Sequence, residues 1–452
     1  MKLKVAMTIA GSDSGGGAGI EADLKTFAAL GVHGTVSITS ITAQNTYEVR
    51  SILDLPPSLI RDQIEVVAED MGIDAAKTGM LHTREIIRAV SEEVERWGFP
   101  LVVDPVMIAK SGARLLEEDA VEELKNRLIP LSTVITPNLM EAEVLSGIKI
   151  RGIEEMKLAA KRISELGAKA VVVKGGHLKE RAADLLYFEG RFRLFESERI
   201  AAKTTHGTGC SFSAAIAACL AKGMGIEESV RVSKEFITDA IRFGVEVGKG
   251  TMPVNPMARL YRDADRFRVV ENLAEAIKLL EGCKEVSELI PEVQSNLVMA
   301  TVNPTGFWDV VGIDGRLVRL RDGVKASSCP TFGASRHVAS AVLVANKHDP
   351  EVRAAMNLRY SKRLIELMRG EGMSVSSYDR SKEPKEVKEA EGRSIPWGTE
   401  EAIRAAGRVP DAIYHTGDWG KEPMIMLFGR DAVDVAKKVI GLARKLKGLE
   451  LG

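Results

Sequence analysis

The stretch Thr8-Ile9-Ala10-Gly11-Ser12-Asp13-Ser14-Gly15-Gly16-Gly17-Ala18-Gly19-Ile20-Glu21-Ala22-Asp23-Leu24-Lys25 decides how this chain is read. It joins a β-branched run, Lys4 to Ile9, to an amphipathic segment, Glu21 to Leu30, and sets five glycines into the nine residues from Gly11 to Gly19. Glycine lets a backbone approach a ligand closely, so a strand, a binding loop and a helix are expected in that order. No Gly-Lys-Ser/Thr closes the loop, so it is not a P-loop. Gly17-Ala18-Gly19-Ile20-Glu21-Ala22 satisfies a relaxed dinucleotide fingerprint, but the ribose-binding acid expected about twenty residues on is missing. Gln44-Asn45-Thr46 stands there instead, with Glu48 the nearest carboxylate, and amides suit the edge of a heterocycle. The competing reading is a tight turn without a ligand.

Working outward, short apolar runs alternate with longer amphipathic segments. Thr35 to Thr42, Leu101 to Val103, Val134 to Thr136 and Ala170 to Val173 read as strands, and Ile60 to Asp70 and Ile153 to Leu166 as helices. That alternation predicts a mainly parallel sheet flanked by helices. The pattern breaks at Gly248-Lys249-Gly250-Thr251-Met252-Pro253, a charged stretch runs from Arg259 to Arg268, and apolar helical spacing resumes at Leu273. The domains are therefore expected at 1–262 and 263–452. Beyond the break, Leu297 to Val302 and Met424 to Phe428 read as strands, with helices over Glu351 to Met368 and Ala432 to Leu446. Asp349-Pro350 supplies an N-cap acceptor and an N1 proline for the first of these helices. A second, smaller α/β domain is expected.

At 452 residues the chain is long enough for two cores. Its 62 basic and 63 acidic residues nearly cancel, so no global field draws nucleic acid or an anionic membrane. Cys210, Cys219, Cys283 and Cys329 form no CxxC pair, which argues against a zinc knuckle or a disulfide framework. A cytoplasmic enzyme with no membrane span is expected.

A second glycine loop, Thr204-Thr205-His206-Gly207-Thr208-Gly209-Cys210-Ser211, precedes the small-residue helical segment Phe212 to Leu220. Backbone N–H groups and a positive helix end converge there on an anion-sized point. Cys210 at that helix start is expected to have a lowered pKa and to serve as a base, the alternative being a buried core cysteine.

Together with these loops, Ala43-Gln44-Asn45-Thr46, Asp104-Pro105-Val106-Met107, Thr136-Pro137-Asn138-Leu139-Met140-Glu141-Ala142 and Lys174-Gly175-Gly176-His177 resemble hydroxymethylpyrimidine and hydroxymethylpyrimidine-phosphate kinases of the ribokinase superfamily. The resemblance covers roughly residues 1–256. It implies a ribokinase-like sheet and two successive ATP-dependent phosphorylations of a pyrimidine alcohol. Sugar kinases of the superfamily usually carry aspartate where Cys210 stands, a departure that points to the pyrimidine branch. By this resemblance Ala18, Asp23, Gln44, Met80 and Val106 line the pyrimidine pocket, with core packing the alternative for Met80. Cys210 takes the hydroxyl proton, and Gly207, Thr208 and Gly209 hold the transferring phosphate. Lys174 balances nucleotide charge, and Asn138 and Glu141, with Asp104 a neighbour, position Mg²⁺.

From about Glu271 the chain resembles the thiamine-phosphate synthase domain often fused behind such kinases. Val302-Asn303-Pro304, Asp309-Val310-Val311-Gly312, Phe332-Gly333-Ala334-Ser335-Arg336-His337, Tyr378-Asp379-Arg380 with Glu383-Pro384, and Gly417-Asp418-Trp419-Gly420-Lys421-Glu422-Pro423 carry that likeness. Thr331 to Ser335 ahead of a helix over Arg336 to Lys347 makes another anion site, suited to a pyrophosphate leaving group. Arg316 and His337 are the leading catalytic candidates, followed by Arg336, Asn357, Asp379 and Glu383. The alternatives are a solvated strand arginine and a helix-cap histidine. His415 and His348 carry no comparable context. The expected partners are small molecules in a homo-oligomer, with no nucleic acid and no membrane. Pyridoxal kinase remains the rival for the first half, and a non-catalytic sensor of thiamine phosphates for the second.

Overall fold

The computed structural model describes residues 3–448 except 109–111, 113, 177–181, 198–199, 201, 391 and 419–420. His177, Trp419 and Gly420 of the quoted motifs lie outside the described residues. The chain divides into two compact units, Met1–Arg259 and Leu260–Gly452.

The first unit opens with β1 (Val5–Ala10), α1 (Gly19–Ala29), β2 (His33–Ile38), β3 (Ser40–Gln44), β4 (Val49–Asp54), α2 (Pro57–Asp70), β5 (Ala75–Thr78), α3 (Arg84–Trp97) and β6 (Leu101–Val103). There follow α4 (Ala120–Glu123), β7 (Val134–Ile135), α5 (Leu139–Ser146), α6 (Ile153–Ser164), β8 (Ala170–Gly175), β9 (Ala182–Phe188) and β10 (Arg191–Ser197). The unit closes with β11 (Thr204–His206), α7 (Thr208–Ala221), α8 (Ile226–Arg242) and β12 (Met252–Pro253). An eight-stranded sheet has the order β10-β9-β8-β7-β6-β5-β1-β2. It is parallel from β8 to β2, with β9 and β10 antiparallel at one edge.

Both faces of this sheet are covered, so its strands alternate between two cores rather than between core and water. Met7, Ile9, Val171 and Val173 face one core with α2, α3 and α6. Ala6, Val102 and Val172 face the other with α1, α7 and α8. Helix α7 can lie flat on the sheet because Ala214, Ala215, Ala217 and Ala218 are small and fully buried. The run Thr35 to Thr42 is not one strand: β2 belongs to the main sheet, and β3 turns away to pair with β4 as a separate hairpin. Ser12 holds this hairpin over the first glycine loop, since Thr42 donates to its carbonyl at 2.8 Å.

The second unit begins inside α9 (Ala258–Glu281), so the charged stretch Arg259 to Arg268 is helical throughout. Beyond it lie β13 (Leu297–Ala300), β14 (Val310–Ile313), β15 (Leu317–Leu320), β16 (Gly323–Ala326), β17 (Pro330–Phe332), α10 (Arg336–His348) and β18 (Ala354–Arg359). Then come α11 (Lys362–Gly370), β19 (Val375–Ser377), α12 (Lys385–Glu389), α13 (Ser394–Ala406), β20 (Ala412–His415), β21 (Met424–Gly429) and α14 (Ala432–Gly448). Its seven-stranded sheet has the order β17-β14-β13-β18-β21-β20-β19, antiparallel except between β19 and β20. Residues of α9, α11 and α14 cover one face, and residues of α10 and α13 the other.

The helix expected over Glu351 to Met368 is corrected here. Its first half is the strand β18, and α11 starts only after Ser361, whose hydroxyl accepts from the Leu364 amide at 3.1 Å. Ala354, Met356 and Leu358 pack into one core and Ala355 into the other, so a strand buried on both faces mimics the uninterrupted apolar content of a helix. Asp349 ends α10 instead of starting a helix, and its carboxylate accepts from the Glu351 amide at 3.0 Å.

Candidate active sites

In the first unit the carboxyl ends of the parallel strands and the two glycine loops enclose one pocket. Ala18, Gln44, Met80, Asp104, Val106, Asn138, Glu141, Lys174, Gly207, Thr208, Gly209 and Cys210 all line it. Asp23 is the exception. It is fully buried beneath the pocket, where it accepts from the Thr8 hydroxyl at 2.6 Å and from the Lys77 ammonium at 2.8 Å. Its place on the inward face of α1 fixed that outcome.

The glycine loops are locked to each other. Asp13 accepts from the amides of Gly15, Gly17 and Ala18 at 2.9, 3.1 and 2.8 Å, and its Oδ2 lies 2.8 Å from His206 Nε2. Burial opposes its charge, yet His206 and the loop amides hold the carboxyl below its usual pKa. Gly207 has φ +77°, and a Cβ there would strike the Gly17 carbonyl oxygen, so no other residue fits the seam.

Lys77 also lines the pocket, and pattern reading missed it. It is 0 % exposed, stands in β5 and reaches the pocket floor beside Cys210. Burial disfavours its charge, but Asp23, Cys210 and Asp104 outweigh that and keep the ammonium protonated. The visible signal was a lysine in the otherwise apolar run Ala75-Ala76-Lys77, where a solvated lysine has no place.

The expectation of a lowered Cys210 pKa is corrected. Cys210 is half-buried in the pocket lining, and burial pushes its thiol up to about 11 against the favourable field of Lys77. The helix end alone does not offset that desolvation.

Asn138 and Glu141 are first of all each other's caps at the start of α5. The Asn138 side chain accepts from the Glu141 amide at 2.9 Å, and Glu141 accepts from the Asn138 amide at 2.8 Å. Burial raises Glu141 to about 7, with Asp104 adding to the shift against Lys174. Asp104 pairs with Lys174 at 2.8 Å. Among the described residues no group of three or more ligating side chains forms a ready-made metal cage.

The second unit holds a cavity of about 480 Å³ on the face covered by α10 and α13. Arg316, His337 and Asn357 line it, whereas Arg336, Asp379 and Glu383 are not among its lining residues. Asp379 instead accepts from the amide and hydroxyl of Ser381 at 2.9 and 2.7 Å. Gln294, Asn296, Ser335, Arg380, Lys388, Ser394, His415, Lys421 and Glu422 are the other polar residues of the lining. His415, set aside on sequence grounds, is therefore part of the site. Its Nδ1 accepts from the Gly417 amide at 3.2 Å, and burial, with the charge of Arg380, lowers its pKa to about 4. The ring is a neutral donor through Nε2. His348 is a surface residue paired with Glu400 at 2.9 Å.

A doubly covered α/β sheet with two glycine loops at its strand ends, and a pocket beside them, has the form of a phosphotransferase unit, and a second α/β unit with its own cavity follows it. The phosphomethylpyrimidine kinase family matches residues 13–255, and the thiamine-phosphate synthase ThiN family matches residues 272–441. The bifunctional thiamine biosynthesis protein ThiDN of Methanocaldococcus jannaschii is 34 % identical over 443 residues, covering 96 % of this chain and 97 % of the relative. The hydroxymethylpyrimidine/phosphomethylpyrimidine kinase of Bacillus subtilis is 45 % identical, covering 57 % of this chain and 96 % of the relative. The chain spans about half, 51 %, of the bifunctional ThiED protein of Geobacter sulfurreducens, at 47 % identity over 55 % of its own length. Among solved structures, a pyridoxal kinase of Bacillus subtilis in complex with ADP superposes with TM-score 0.54 at 41 % identity, covering 57 % of this chain and 99 % of that one. The chain belongs to the phosphomethylpyrimidine kinase family and carries a ThiN domain behind the kinase, which makes it a bifunctional enzyme of thiamine biosynthesis.

Among the described residues no helix is long and apolar enough to cross a membrane.

Proposed function

We propose that the first unit phosphorylates hydroxymethylpyrimidine and then its monophosphate with ATP, and that the second joins the resulting pyrophosphate to hydroxyethylthiazole phosphate. The observation that carries the kinase reading is the pair of glycine loops, locked through Asp13 and His206, that present Cys210 and the first turn of α7 to one pocket. In each transfer the substrate oxygen bonds to the γ-phosphorus and the bond from phosphorus to the ADP oxygen breaks; in the first the hydroxyl proton must leave, whereas in the second an ionised phosphate oxygen attacks. Gly207, Thr208 and Gly209 point amides at the developing charge. Cys210 accepts the proton of the hydroxymethyl group through its small ionised fraction, with Lys77 as the nearby cation that favours the thiolate. Ala18, Gln44, Met80 and Val106 hold the heterocycle, and Asp23 acts through Lys77.

Glu141 and Asp104 would hold Mg²⁺ together with nucleotide phosphates and water, a donor set that fits an ion seldom given an all-protein cage. Bound there, it would neutralise phosphate charge, while Asn138 keeps Glu141 in place.

In the second unit a bond forms between the thiazole nitrogen and the pyrimidine methylene carbon, and the carbon–oxygen bond to pyrophosphate breaks. The leaving group departs with the electron pair, which Arg316, His337 and the first turn of α10 stabilise. We take the working enzyme to be a cytoplasmic homo-oligomer with its functional halves at 1–262 and 263–452. The test is incubation of the full chain with ATP, Mg²⁺, hydroxymethylpyrimidine and thiazole phosphate, with pyridoxal as competitor. Thiamine phosphate is the expected product. Preferred phosphorylation of pyridoxal would overturn the kinase reading. Pyrimidine pyrophosphate accumulating beside unused thiazole phosphate would turn the second unit into a sensor.

A further inference from the structure

The turn that carries Arg316 to the cavity of the second unit is gripped from both sides. The ladder between β13 and β14 runs from Ala300 opposite Val310 only as far as Val298 opposite Gly312. Past that point the Asn296 side chain takes the place of a strand. Its Oδ1 accepts from the Ile313 amide at 3.0 Å, and its Nδ2 donates to the carbonyls of Ile313 and Gly315 at 2.8 and 3.0 Å. A flipped carboxamide would lose all of these bonds, so its orientation is fixed. On the other side the Ser327 hydroxyl accepts from the Arg316 amide at 2.8 Å and donates to the Asp314 carbonyl at 3.2 Å. Between the two, Gly315 has φ +99°, and a Cβ there would strike Ser327 Oγ.

The Gly315 carbonyl joins this frame to the guanidinium. It accepts from Asn296 Nδ2 at 3.0 Å and from Arg316 Nη1 at 2.8 Å, so a single oxygen carries both donors. Asn296 lines the cavity but is 1 % exposed, and both hydrogens of its Nδ2 are already used. Asn357 is committed in the same way. Its Oδ1 accepts from the Asn296 amide at 2.7 Å, and its Nδ2 donates to the Gln294 carbonyl at 3.0 Å and to Met424 Sδ at 3.4 Å. Side chains spent on their own backbone have nothing left with which to read a substrate. What they supply is aim, because a guanidinium ordered before the ligand arrives loses little freedom when it binds.

We propose that Asn296 is a positioning residue for the condensation: with Ser327 it holds the 313–316 turn so that the Arg316 guanidinium meets the departing pyrophosphate. Asn357 stands one step further back and holds Asn296, which removes it from the groups that touch substrate. The proposal rests on the synthase reading above.

The test uses the full chain, as wild type, Asn296→Ala, Ser327→Ala, Arg316→Ala and the doubles that add Arg316→Ala to each of the other two. Condensation is followed with pyrimidine pyrophosphate and thiazole phosphate. Asn296→Ala is expected to lower kcat about tenfold to a hundredfold, the cost of misplacing a reacting group by about 1 Å, with KM for thiazole phosphate unchanged. In the Arg316→Ala background it should cost less than about twofold more, because no guanidinium is left to aim. Losses that multiply instead mark damage independent of Arg316 and overturn the proposal, as does an Arg316→Ala enzyme as fast as wild type. Ser327 is exposed, so Ser327→Ala carries the same comparison, with a smaller loss, if Asn296→Ala does not fold. Hydrogen exchange over residues 313–317 reads the turn without turnover. It should quicken in both single variants while β18 stays protected, and unchanged exchange overturns the proposal. A wild type that forms no thiamine phosphate sinks the synthase reading itself, and faster exchange in the variants then still establishes the grip on the turn.

Discussion

Asp13 Oδ2 sits 2.8 Å from His206 Nε2 and joins two glycine loops that lie 193 positions apart in the chain. The same carboxylate satisfies three amides of its own loop. Asp13→Ala should strand those donors and destabilise the first unit by about 2–3 kcal/mol. Because the folded pKa of Asp13 is depressed, its contribution is present above its unfolded pKa and lost as pH falls through the folded value. Acid melts of wild type and Asp13→Ala should therefore converge as the pH falls through the depressed pKa of Asp13. A gap that persists there would contradict the charge-based origin.

The kinase rate should climb with pH through the neutral and alkaline range, because only ionised Cys210 accepts a proton and burial holds its thiol up to about 11. The expected slope is about tenfold per pH unit well below that value. Cys210→Asp should flatten the profile, and Cys210→Ala should cost on the order of 10²–10⁴-fold with ATP binding retained. A flat wild-type profile between pH 6 and about 9 would remove Cys210 as the base.

Lys77→Met should both unfold and inactivate, for separable reasons. Removing the ammonium leaves Asp23 charged and unpaired at 0 % exposure, a loss of about 3–5 kcal/mol. The double variant Lys77→Met with Asp23→Asn should recover the melting temperature but not the turnover. Recovery of both would make the pair purely structural.

Separating the units should follow the helix rather than the charged stretch. A cut near 262 severs α9 within its first turns, whereas Val269, Leu273, Ala276 and Leu280 of α9 belong to the core of the second unit. Fragments 1–257 and 258–452 should each melt cooperatively. Starting the second at 282 should abolish its transition, since those core side chains go with α9.

Legibility varied with the kind of signal. The parallel strands and both glycine loops were readable because β-branched runs and glycine clusters report on backbone conformation directly. Asp23 and Lys77 were misplaced or missed because a pocket-lining role and a buried ion pair beneath the pocket look alike in a linear string. Glu351 to Met368 was misread because Ala354 to Leu358, covered on both faces, has no period-two alternation to reveal it. His415 and Arg380 entered the site only through the order of β19, β20 and β21, which no local pattern encodes.

The clasp between Asp13 and His206 also bears on the order in which the molecule is made. Residues 11–19 leave the ribosome early, but the histidine that completes their anion pocket emerges 193 residues later. Closing so long a loop has to wait for the strands between, so the pocket is a late product of folding. A nascent or truncated kinase lacking His206 should then build most of the sheet and still hold no nucleotide, which keeps incomplete chains from sequestering ATP.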